Sequence, residues 1–140
     1  MAYTTIDKPT DYFNTKLYTG NGGTQSITGV GFQPDWTWIK ERDDTPDHKL
    51  IDSVRGVTKT LESNNSDAEG TLTTGITSFD SDGFSLGANG STNGSSDLFV
   101  SWNWLAGGTA PAITYTVKVV SDGGNKYRFD DFGTSAVTLD

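Results

Sequence analysis

The chain has 140 residues, a formal charge of −8 from eighteen acidic and ten basic side chains, 33% hydrophobic and 11% aromatic residues, and no cysteine. That length allows one domain with a core and a tail, and the composition excludes a disulfide framework and thiolate metal sites. Scattered Lys and Arg on an acidic chain argue against nucleic acid, whose phosphates need clustered cations, and against anionic membrane surfaces.

Met1 to Asp7 has no basic segment followed by an apolar run, and no stretch is long enough to span a bilayer. No secretory leader or membrane segment is expected, so synthesis in a cytoplasm is. Residues 1–11 read as a polar arm, turned at Lys8-Pro9. From Tyr12 to Tyr18 the chain alternates, with Phe13, Thr15 and Leu17 on one face and Tyr12, Asn14, Lys16 and Tyr18 on the other. Gly20-Asn21-Gly22-Gly23 offers a turn into Thr24 to Thr28, so a first hairpin is expected.

Trp36-Thr37-Trp38-Ile39-Lys40 and Leu98 to Leu105 hold all four tryptophans, spaced two apart in each pair. That spacing puts both rings of a pair on one face of a strand. The large rings are the natural filler of a small sandwich, and the expectation is that they lie between two sheets. His48 to Asp52, Thr58 to Ser63, Thr71 to Phe79 and Phe84 to Gly87 read as further short strands, the last following an Asp-Gly turn at Asp82-Gly83. Ala88 to Ser96, rich in Gly, Asn and Ser, reads as an exposed flexible loop, and no helix is evident. Ala106 to Pro111 is a linker. Beyond it Ile113, Tyr115, Val117 and Val119 alternate in a long strand, which turns at Asp122 to Asn125 into Lys126 to Phe129.

The fold class is therefore all-β: an antiparallel β-sandwich, jelly-roll or concanavalin-like, with a C-terminal β-strand extension. Its divisions are an N-terminal arm (1–11), a sandwich domain (12–105), a linker (106–112) and a β extension or start of a second β module (113–140).

The order Gly29-Val30-Gly31-Phe32-Gln33-Pro34-Asp35, Trp38-Ile39-Lys40 with Arg42, His48 with Leu50, Asp52 to Gly56, Leu61 with Ser63-Asn64, and Ser78 to Gly87 resembles a recurrent β-rich domain of phage virion proteins, notably marine ones, of tail-fibre or structural type. The resemblance covers about residues 12–105. It implies a place on a virion; together with the two strand-bearing ends, which lack obvious partners within the chain, it gives the expectation of a virion structural protein, a fibre, tail or capsid-surface component that acts through contacts with other virion proteins, as a homo-oligomer. The rival expectation is a receptor-binding module for a host surface glycan.

No catalytic, cofactor-binding or metal-ligating set is expected. The chain lacks a histidine-bearing nucleophile motif and a phosphate-cradling glycine loop. Asp80 and Asp82 sit in a turn as in a calcium loop, without the further ligands such a loop needs. His48 has no cysteine or second histidine to share a zinc. Asp35, Glu41, Glu62 and Glu69 are the acids that could form a glycosidase pair. For ligand binding the candidates are Tyr12, Tyr18, Asn89 and Asn93; for assembly contacts they are Tyr3, Ile6, Ile113, Tyr115, Val117, Val137 and Leu139.

Overall fold

The computed structural model describes residues 8–106, together with the backbone of residues 117–121 and 127–131. In chain order the strands are β1 (Phe13–Thr19), β2 (Gln25–Ile27), β3 (Trp36–Glu41), β4 (Lys49–Asp52), β5 (Lys59–Thr60), β6 (Gly70–Thr71), β7 (Ile76–Asp80) and β8 (Gly83–Leu86). A single helical turn α1 (Gly90–Asn93) precedes β9 (Leu98–Trp104), and β10 (Val117–Ser121) and β11 (Tyr127–Asp131) follow. A short 3-10 turn at Pro9–Asp11 leads into β1.

Two antiparallel sheets make an all-β sandwich, one ordered β1-β9-β3-β4 and the other β2-β8-β7. Between them lie Ile39, Ile51 and Phe99 from the first sheet and Ile27, Ile76, Phe84 and Leu86 from the second, with Tyr18, Val57 and Phe79 packed at the margin. Each large apolar side chain removed from water here contributes about 1.5–3 kcal/mol. Rings in this layer are therefore phenylalanine and tyrosine, and the tryptophans stand elsewhere. Residues Met1–Gly107 and Gly108–Asp140 are separate compact units. In the second, β10 pairs antiparallel with β11 from Val117↔Asp131 to Ser121↔Tyr127.

Three expectations need correction. The tryptophans do not lie between the sheets: on that side β3 presents Thr37, Ile39 and Glu41, all buried, and β9 presents Phe99, Ser101 and Asn103. Polar residues tolerate that inner face because they satisfy one another. Thr37 Oγ1 donates to Asn103 Oδ1 (3.1 Å), and Asn103 Nδ2 donates to the Asn14 carbonyl and to Ser101 Oγ (3.1 Å each).

The first hairpin does not form either. β1 pairs with β9 and β2 with β8, so the glycine turn carries the chain from one sheet to the other. It is fastened on the way: Gly20 N–H donates to the Asp97 carbonyl (2.9 Å) and Gly22 N–H to the Asn93 carbonyl (2.8 Å). A Cβ on Gly20 would come 2.0 Å from the Gly94 carbonyl oxygen, so only glycine allows the two loops to touch.

Residues 88–96, expected to be a flexible loop, are built around α1. Asn89 Oδ1 accepts from Ser91 N–H at its start (3.0 Å). Asn93 is fully buried: its amide donates to Asn21 Oδ1 (3.1 Å), the Gly23 carbonyl (2.8 Å) and the Gly87 carbonyl (3.0 Å), and its oxygen accepts from Asn21 N–H (2.9 Å).

Candidate functional site

Register across the four-stranded sheet assembles one continuous aromatic surface on its outer side. Phe13, Trp104 and Trp36 lie in one cross-strand row; Thr15, Trp102, Trp38 and Leu50 form the next; Leu17, Val100 and Lys40 form a third. A strand's period of two sends all of these side chains away from the sandwich core. The four tryptophans are half-buried, and Leu17 is 63% exposed.

The rings cover one another unequally. Trp104 lies between Phe13 (centroids 4.9 Å) and Trp36 (4.3 Å, interplanar angle 29°), so both of its faces are occupied. Trp38 meets Trp102 at 5.4 Å and His48 at 5.6 Å. Its indole N–H donates to His48 Nδ1 (3.1 Å), which makes that nitrogen the unprotonated one in this arrangement. Trp102 has Trp38 as its ring neighbour, and on its other side the register places only the exposed Thr15. Among the described residues the one buried side-chain polar atom without a partner is Gln25 Oε1.

The candidates named from sequence are not gathered at this face. Tyr18 stacks on Phe99 (5.2 Å), meets Phe84 edge-on, and donates its hydroxyl to the Thr92 carbonyl (2.7 Å); burial pushes its pKa far up. Asn93 is locked inside the sandwich's end, and Asn89 caps α1, so Tyr18 and Asn93 offer nothing to a ligand. Tyr12 is exposed at the start of β1, where its carbonyl accepts from Leu105 N–H (2.9 Å). Of the assembly candidates, Val117 opens β10, whereas Tyr3, Ile6, Ile113, Tyr115, Val137 and Leu139 lie outside the described residues.

The acids serve separate structural partners. Asp82 accepts from Gly29 N–H (2.9 Å) and Gly31 N–H (2.7 Å), and these bonds, with Lys16 nearby, hold its carboxyl below the usual range. Asp80 accepts from Ser78 Oγ (2.8 Å) and Ser85 Oγ (2.7 Å). Asp35 accepts from Ser53 Oγ and Ala106 N–H (3.1 Å each). Glu62 pairs with Lys49, and Glu69 with Arg55 (3.3 Å). Asp52 is raised by burial but lowered overall, through hydrogen bonds from Arg55 and Val54 and the Arg55 charge. Glu41, buried at the end of β3, is pushed up by that burial and then by Asp97, Asp44 and Asp43. Among the described residues no three His, Cys, Asp or Glu side chains are grouped to hold a metal, and no helix is long and apolar enough to cross a membrane.

Sequence reasoning found the tryptophans but assigned them the wrong side. The signal was present in the alternate positions: Thr37, Ser101 and Asn103 are small or amide side chains able to satisfy one another, whereas indoles on a second face would leave N–H groups needing water.

The family model described as Domain of unknown function (DUF7483) matches residues 8–126, and the chain belongs to that family. No curated protein and no solved structure matches it.

Proposed function

We propose that this family member is a structural protein of a phage virion, a fibre, tail or capsid-surface component that acts through contacts with other virion proteins and with copies of itself. The ordered resemblance over residues 12–105 supports the virion setting. The observation that carries the contact role is the β10–β11 hairpin: a compact unit whose described strands number two. An isolated two-stranded sheet is marginal in water at best, and among the described residues each of its strands keeps one unpaired edge, able to template another chain.

The sandwich, by contrast, covers part of its β1 edge. The bonds flanking β1 direct Asn14, Lys16 and Tyr18 toward β9 and leave the backbone of Phe13, Thr15, Leu17 and Thr19 facing outward. Asn14 Oδ1 then takes Thr15 N–H (2.9 Å), and Gln25 Nε2 takes the Thr19 carbonyl (3.0 Å).

Mass spectrometry of particles purified from a phage encoding the chain tests this. The chain should be present at a fixed stoichiometry, and deletion of residues 108–140 should abolish its incorporation. Particles that lack the chain, or that incorporate the shortened form equally well, would overturn the proposal.

A further inference from the structure

The outer aromatic face of the large sheet has a shape of its own. On β1 the side chains facing that way are Phe13, Thr15 and Leu17, a small residue between two large ones. Phe13 and Leu17 are about 14 Å apart along the strand, and Thr15 between them is exposed. Behind Thr15 stands Trp102, whose β1-side face is bounded by no aromatic ring. Register thus leaves a small hydroxyl side chain between two large apolar ones, with an indole beside it.

We propose that the gap over Thr15 is a slot that binds a neutral pyranose ring of an oligosaccharide, its C–H face against Trp102 and its hydroxyls on Thr15 Oγ1. Aromatic surface with a few convergent polar groups is the usual make-up of a small-ligand site. Two observations decide against a protein occupant. Four strands about 4.8 Å apart and some six residues long give a face of roughly 400 Å², about half of the ~800 Å² that each partner of a standard interface contributes. A second copy would also bring another −8 of charge, and the same charge disfavours acidic glycans. The inference stands apart from the virion assignment, since a sugar site is testable on the purified chain whatever particle it belongs to.

The test is calorimetric titration of the full chain with cellotetraose, maltotetraose, mannotetraose and chitotetraose, followed in parallel by tryptophan fluorescence. At least one should bind saturably. Thr15→Phe, which fills the slot from an exposed position and leaves every tryptophan in place, should weaken that binding at least tenfold, as should Trp102→Ala. Saturable binding by none of the four up to millimolar concentration overturns the proposal, and so does binding that Thr15→Phe leaves unchanged. Tighter binding of a sialylated or sulfated tetrasaccharide than of any neutral one also overturns it.

Discussion

Asn93 concentrates four hydrogen bonds in a side chain wholly removed from water, and it joins the turn after β1 to the end of β8. Asn93→Ala leaves two carbonyls and an N–H unpaired and should cost about 2–4 kcal/mol, given the ~1–3 kcal/mol penalty for a buried group left without its partner; urea denaturation reads the loss. Asp82 and Glu41 give opposite pH responses. For Asp82 the folded pKa is depressed, so its contribution is present above the ordinary aspartate range and disappears as pH falls through the lowered value. Asp82→Asn should therefore lower the melting temperature at pH 7, and the difference should shrink as pH falls below the ordinary aspartate range. For Glu41 the folded pKa is raised, so ionisation at neutral pH opposes folding, and the penalty vanishes below the ordinary glutamate range. Glu41→Gln should raise the melting temperature at pH 7 but not at pH 3.

Individual strands show which properties were legible in the chain. Alternation identified β1, β3, β8 and β9 because every second residue carries the same chemistry, but it could not say which side faces inward. In β3 and β9 the bulkier residues, Trp36, Trp38, Trp102 and Trp104, lie outside, while Thr37, Ser101 and Asn103 lie inside. Ring size misleads here because a buried amide or hydroxyl costs little once it is paired, as the Thr37–Asn103–Ser101 set is. In α1 composition misled in the same way: Gly, Ser, Thr and Asn suggest a loop, yet Asn89 and Asn93 supply the fastening. The candidate site was legible as a set of rings and illegible as a surface, because register depends on which strands become neighbours.

The two faces of the large sheet should respond differently to substitution. Phe99→Ala on the inner side should cost about 3–5 kcal/mol, whereas Leu17→Lys on the outer side should stay within about 0.5 kcal/mol; chemical denaturation of each variant distinguishes them. Gly83 is a third kind of position. Its φ is 149°, and a methyl group added there would stand only 1.9 Å from the Ile27 carbonyl oxygen, so Gly83→Ala must push β2 off β8. A loss of at least ~3 kcal/mol, or failure to fold, is the expected result.

Taken whole, the protein comprises a sandwich with its own core and a unit whose described strands are the β10–β11 hairpin. A chain ending at Gly107 should keep a single cooperative melting transition with unchanged tryptophan emission, measured by calorimetry and fluorescence, because the core cluster is drawn entirely from residues before that point. The bond from Leu105 N–H to the Tyr12 carbonyl has a consequence of another kind. It sets the polypeptide's way in and way out of the sandwich side by side, like the two legs of a staple. A module closed in this manner can be spliced into a surface loop of an unrelated carrier without stretching either partner, so its architecture is that of a transferable cassette.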